Sequence, residues 1–173
     1  PIYPKGDSMS YIEIFDDKMN DIEWYYDYVK DLDYTYGEQD NKDTPPTGMV
    51  AELSTKKDVT YGVFHKLSEL YHDLCPVSDQ YNQIDRAYVN LFAPRELPYY
   101  HTDGNCITLL YYANPQWYPD WGGETKIIKY DREVFAIAPV PGRIVIFNGS
   151  LRHTATSFRN THRFTVALKF VSK

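Results

Sequence analysis

Two cysteines, Cys75 and Cys106, are all the thiol that this chain of 173 residues carries. They show no metal-type pairing and cannot cross-link the chain as a small disulfide scaffold would. At this length no such staple is needed, because about 70% of the unfolded surface can be buried around one core. Cys106 lies in an apolar run and reads as a small core residue, and so few cysteines fit a reducing compartment. Positive charge is also short. Lys and Arg number 18 against 24 Asp and Glu, a formal net charge of −6, which argues against a general electrostatic grip on nucleic acid. No apolar run approaches the roughly 20 residues of a membrane helix. No cationic-then-apolar leader opens the chain, and Met9 is a candidate natural start. We therefore expect a cytoplasmic protein that uses no membrane. Repeats and low-complexity linkers are lacking too.

Aromatic residues are abundant: 17 Tyr, 8 Phe and 3 Trp. They predict a tyrosine-rich core, an aromatic-lined pocket, or both. Two helices are expected in the first half. Asp16-Asp17 can cap one that runs to about Leu32, with Met19, Ile22, Tyr26 and Val29 at helical spacing. Val63 to Leu74 repeats the pattern through Val63, Leu67, Leu70 and Leu74. Between them Gly37 to Gly48, with Pro45-Pro46, reads as a loop. From about Asp85 the period changes to that of strands. The candidates are Arg86–Ala93, Pro98–Asp103, Cys106–Ala113, Glu124–Lys129, Glu133–Ala138, Arg143–Asn148, His153–Phe158 and Arg163–Val171. Eight short strands suggest a sandwich or jelly roll. The expectation is one domain over 1–173, mainly β with N-terminal helices (α+β): helical support over about 10–80 and a β core over about 85–171.

The chemistry-bearing residues fall within that core. His101-Thr102-Asp103 is followed fifty positions later by His153, and Arg163 comes ten positions after that. In a strand, alternate residues face one side, so His101 and Asp103 can share a metal. Two imidazoles and a carboxylate can hold one face of an iron(II) ion and leave the other face open. The same donors suit zinc with an open position; the arginine and the sheet context favour iron. Arg163 and Thr165 share a face and can offer a planar fork and a hydroxyl to one carboxylate. Thr108 and Tyr112 share a face of another strand, and Tyr88, Asn90 and Phe92 share a face of the strand before the ligands.

Together these segments resemble the iron(II)- and 2-oxoglutarate-dependent dioxygenase superfamily, and within it the prolyl-4-hydroxylase-like group. The resemblance runs from about Arg86 to Val171. It is carried by His101-Thr102-Asp103, Thr108 through Asn114, Gly122-Gly123-Glu124-Thr125, Pro141-Gly142 with Ile146-Phe147, Leu151-Arg152-His153 and Arg163-Phe164-Thr165. It implies a double-stranded β-helix, iron(II) on His101, Asp103 and His153 as the catalytic centre, and Arg163 on the far carboxylate of 2-oxoglutarate. It also implies that Tyr112 helps to hold that carboxylate, with Thr108 at another inward position. The reaction implied consumes 2-oxoglutarate and O2, releases succinate and CO2, and hydroxylates a C–H bond. Two departures stand out. Collagen-type enzymes carry lysine where Arg163 stands, which brings this chain closer to oxygen-sensing prolyl hydroxylases and their bacterial relatives. Those place a tyrosine where Asn90 or Phe92 lies. Asn90-Leu91-Phe92-Ala93-Pro94 also resembles the alkylated-nucleic-acid demethylases, whose arginine lies further past the second histidine.

For the substrate, Tyr100 and the aromatic loop carrying Trp117 and Trp121 are the candidate contacts. Aromatic faces suit a proline ring, a sugar or a base. A prolyl residue in a peptide or protein is the first expectation. A small molecule or sugar, alkylated nucleic acid, and a non-catalytic cupin-like metal-binding module are the alternatives.

Overall fold

The strand Arg163–Val171 is buried on both faces, because apolar and polar residues alternate along it and each set has its own neighbour to pack against. It lies at the centre of a seven-stranded antiparallel sheet in a computed structural model that describes residues 11–53, 62–130 and 132–173. In chain order the elements are β1 (Ile12–Phe15), α1 (Ile22–Lys30), β2 (Thr35–Tyr36), β3 (Met49–Glu52), α2 (Val63–Leu74), β4 (Gln83–Phe92), β5 (Ile107–Tyr112), β6 (Thr125–Lys129), β7 (Glu133–Ile137), β8 (Ile144–Asn148), β9 (His153–Ala155) and β10 (Arg163–Val171). The large sheet has the order β1-β8-β5-β10-β4-β3-β2, and a smaller one has the order β7-β6-β9. The two sheets are those of a double-stranded β-helix, mostly β with helices on one side. Met9 lies outside the described residues. Among the described residues no helix is long and apolar enough to cross a membrane.

The period of two sorts the large sheet's side chains. Val89, Leu109, Tyr111, Val166, Leu168 and Phe170 face the helices and join Val63, Leu67 and Tyr71 of α2 in one apolar cluster. Tyr71 and Phe170 stack at 3.5 Å with ring planes 4° apart, a contact that adds to their area burial. On the opposite face Tyr88, Leu110, Tyr112, Val145, Phe147 and Ala167 meet Ile127 and Ile137 of the smaller sheet. The helices therefore brace the sheet from outside. Between the sheets this apolar packing borders a cavity lined by polar side chains, among them Asp103, His153, Arg163 and Thr165.

α2 and β10 occupy the expected residues, whereas other elements differ. The first helix begins at Ile22, not at Asp16-Asp17. Asp16 is engaged elsewhere, accepting two hydrogen bonds of 2.8 Å from Arg143. Asp17 and Asp21 have φ of 59° and 58°, a left-handed turn that helix cannot run through. The N-terminal part is also not purely helical: β1 pairs with β8, and β3 with β4. These strands are too short for their alternation to be distinctive. Pro98–Asp103 is not a strand either. Only His101 bridges, exchanging backbone hydrogen bonds of 3.0 and 2.9 Å with His153. A further bond of 2.7 Å runs from the Asp103 N–H to the Gly149 carbonyl. Two anchors two residues apart keep the alternation without a regular ladder. The expected strand His153–Phe158 ends at Ala155, after which Phe158 bridges to Gly122.

Candidate metal and co-substrate site

β9 and the 101–103 segment run side by side, so their alternation delivers His101, Asp103 and His153 to one point. His101 Nε2 lies 3.8 Å from Asp103 Oδ1, and His153 Nε2 lies 3.5 Å from Asp103 Oδ2. One donor atom from each residue falls within 4.8 Å of the others. Proton positions follow from the outer ring nitrogens. His153 Nδ1 donates to the Leu151 carbonyl at 2.8 Å, and His101 Nδ1 lies 3.1 Å from the Tyr99 carbonyl. A carbonyl only accepts, so the proton sits on Nδ1 and the Nε2 lone pairs point inward. Two lone pairs and a carboxylate thus converge with no proton between them. Such a group of acceptors is stabilised by a cation, and an N,N,O set suits iron(II) or zinc. The residues present therefore fit a metal ion.

Gly149 makes room for this arrangement. A Cβ there would come 2.5 Å from Cys106 Sγ and 3.0 Å from Asp103 Cβ, so any side chain would displace Cys106 and crowd Asp103. Asp103 has a side chain only 2% exposed. Burial alone would raise its pKa, but His153, Lys169 and Thr108 outweigh burial and hold it below the usual carboxylate value. Thr108 Oγ1 donates to Asp103 Oδ2 at 2.7 Å. Lys169 Nζ lies 2.8 Å from Asp103 Oδ1.

Burial, partly offset by Asp103, lowers the pKa of His153 below its ordinary 6.5. The imidazole is neutral when folded and returns to its ordinary value when unfolded. Below pH 6.5 the unfolded chain therefore binds more protons, and stability falls with pH. The His153 contribution is present above that pH and is lost as the pH drops through the lowered value. Asp103, also depressed, adds its own loss in a separate window below the ordinary aspartate value of 3.8. Thermal denaturation of the metal-free chain should give a Tm that is level near neutrality and declines from about pH 6.5 downward. In His153→Gln that first decline should flatten.

Arg163 enters the same cavity from β10. The cavity has a volume of about 160 Å³ and is lined by Arg163, Thr165 and Asn90 together with His101, Asp103 and His153. Arg163 is 2% exposed, and burial pushes its pKa down from the usual arginine value. Its Nη2 donates to Thr125 Oγ1 at 3.2 Å, and Tyr112 Oη donates to the same oxygen at 2.6 Å. The guanidinium lies 5.3 Å from the centre of the Tyr112 ring. Among the described residues, Arg163 Nε and Thr165 Oγ1 are buried without a hydrogen-bond partner. No carboxylate pairs with Arg163 among the described residues. A buried cation beside an unused hydroxyl calls for an anion with several oxygens.

The structure does not bring every candidate to this cavity. Trp117 and Trp121 pack against each other at 5.5 Å, and the Trp117 indole N–H donates to the Gly122 carbonyl at 2.9 Å. Their loop packs on itself, and neither ring lines the cavity; nor does Tyr100, whose ring lies 5.6 Å from the Arg152 guanidinium. Three residues of the site were not singled out from sequence. Thr125 links Arg163 to Tyr112. Asp40 places Oδ1 3.3 Å from His101 Nδ1 and is held by the Tyr99 N–H at 2.8 Å and the Thr47 hydroxyl at 3.0 Å. Lys169 shares the inner face of β10 with Arg163 and Thr165, and the two-residue period was the signal that could have found it.

Residues 95–170 match the 2OG-Fe(II) oxygenase superfamily. No match was found among the curated proteins. Among solved structures, the chain is similar to a Pseudomonas putida prolyl-4-hydroxylase at 13% identity, TM-score 0.72, over 96% of this chain and 95% of that one. It is also similar to a prolyl hydroxylase from Trichoplax adhaerens, solved in complex with a hypoxia inducible factor oxygen degradation domain peptide fragment. That match has 16% identity and a TM-score of 0.70, over 93% of this chain and 83% of that one. A third is the viral collagen prolyl hydroxylase of Paramecium Bursaria Chlorella virus-1 in its 2OG complex, at 14% identity, TM-score 0.61, over 94% and 97%. At such identities the likeness is one of fold. The segment that matches the 2OG-Fe(II) oxygenase superfamily spans the three converging donors and the buried arginine.

Proposed function

We propose that this protein is an Fe(II)- and 2-oxoglutarate-dependent dioxygenase that hydroxylates a prolyl residue in a peptide or protein. In this reading His101, Asp103 and His153 hold the iron. Arg163 takes the far carboxylate of 2-oxoglutarate, with Thr165 adding a hydroxyl and Tyr112 and Thr125 steadying the guanidinium. Asn90 lines the same space, and Thr108 keeps Asp103 in place. The whole chain acts as one domain, its helices bracing the sheet that carries these residues. Bound together there, iron, 2-oxoglutarate and O2 would supply the oxidation of a C–H bond to C–OH, with succinate and CO2 as co-products.

The protein's own contribution is placement. The Nδ1 hydrogen bonds fix which imidazole nitrogen faces the metal. The buried guanidinium draws one end of a dicarboxylate inward and so aligns its other end with the donors. The observation that carries the reading is Arg163, a buried cation with no carboxylate partner among the described residues, in the cavity of the three converging acceptors. The prolyl substrate rests on the fold's likeness to prolyl hydroxylases.

Succinate release from 2-oxoglutarate under air, dependent on added iron(II), tests the reaction class. An inert protein that holds zinc tightly would return it to the metal-binding modules. Mass spectrometry of proline-containing peptides and small-metabolite mixtures tests the substrate. A peptide that gains one oxygen at proline supports the proposal, and a gain confined to a small metabolite overturns its prolyl part.

A further inference from the structure

Lys169 projects from β10 into the cavity, with Thr108 of β5 and Arg86 of β4 as its cross-strand neighbours. Its side chain is 16% exposed, and its ammonium lies 2.8 Å from one oxygen of an almost fully buried carboxylate, Asp103. The other Asp103 oxygen accepts the Thr108 hydroxyl at 2.7 Å. Side chains from two adjacent strands therefore hold the carboxylate, one oxygen by an ion pair that is not aligned as a hydrogen bond and the other by a hydrogen bond. Tyr88 lies behind the ammonium, its ring centre 5.3 Å from Nζ, and keeps the lysine directed at Asp103.

This inference rests on the proposed metal site. We infer that Lys169 is a positioning residue that supplies the countercharge of Asp103 in the metal-free chain and, with metal bound, keeps one carboxylate oxygen for itself. Two consequences follow from charge and geometry. A carboxylate oxygen engaged with an ammonium is a poor metal donor, so Asp103 offers the ion a single oxygen. The position that a second oxygen would fill stays open for the co-substrate. An ammonium beside a divalent ion in a poorly solvated cavity also repels it. Lys169 thus stabilises the fold without metal and weakens the metal when it binds. A residue with a merely structural role would do the opposite to metal affinity, because its loss would loosen the site.

The test is calorimetric titration of the oxygen-free protein with Co(II), alongside thermal denaturation without metal. Lys169→Met removes the charge and keeps most of the volume. Lys169→Gln removes the charge and keeps a hydrogen-bond donor, so it carries the test if the first variant does not fold. Both neutral variants should bind Co(II) at least about tenfold tighter than wild type, since a like charge has been taken from beside the ion. Both should melt lower when metal-free. Lys169→Arg, which restores a cation, should return both properties toward wild type. Neutral variants that bind Co(II) no tighter than wild type, while wild-type binding depends on His153, would overturn this inference alone. A wild-type chain that takes up no Co(II) would overturn the proposed metal site and this inference with it.

Discussion

Replacing Arg163 by alanine should weaken 2-oxoglutarate binding to the metal-loaded protein by at least about a hundredfold. Removing one partner of a buried charged pair typically costs about 3–5 kcal/mol, and each 1.4 kcal/mol is about a factor of ten. The far carboxylate would be left in a cavity where Thr165 offers one hydroxyl and Thr125 is already engaged by Tyr112. Titration of wild type and variant under nitrogen checks this, and unchanged affinity would remove Arg163 from the role. The metal-free fold should not suffer in parallel. Without an anion, Arg163 is a buried charge with its Nε unpaired, so its loss relieves a desolvation cost. A drop in co-substrate affinity at unaltered Tm would separate this effect from general damage.

His153→Ala should have a comparable effect at the other end of the cavity. Losing a partner that only orients a metal ligand commonly costs about 10–100-fold in metal affinity. Losing a ligand itself should cost at least the upper figure. The ring is 6% exposed and packs against Phe147 at 4.9 Å and His101 at 4.4 Å. The hole left behind is shaped for an imidazole. Metal uptake should fall by about a hundredfold or more, iron-dependent succinate release should fall with it, and added imidazole should recover part of both. Uptake at the wild-type level would show that the ion binds elsewhere.

What the sequence made legible follows from how local each signal is. The strand Arg163–Val171 and the helix Val63–Leu74 were readable to the residue, because apolar period and boundaries coincide there. The spacing from His101 to Arg163 named the site because strand alternation is a short-range rule. It held even where the strand did not form, since two backbone bonds to Gly149 and His153 do a ladder's work at 101–103. Asp40 was out of reach: it sits in a polar loop about sixty residues before His101, and only tertiary packing brings it to the imidazole. Asp16 misled for the same reason, since nothing local distinguishes a helix cap from a carboxylate reserved for Arg143. The tryptophans of the 114–121 loop lie outside the cavity lining. Aromatic rings near a site read as contacts, yet Trp117 spends its N–H on its own loop. Lys169 was legible in principle, two steps of two beyond Thr165, but a lysine near a chain end usually reads as solvent-exposed.

The central claim is that one cavity binds a single dicarboxylate between three metal donors and a buried guanidinium. Titrating 2-oxoglutarate into the oxygen-free chain, with and without Mn(II), tests it most directly. The account predicts strong binding only when metal is present. It also predicts that the metal binds tighter by the same factor when 2-oxoglutarate is present, as linkage demands of two ligands that touch. Equal affinity with and without metal, or none in either case, would contradict it.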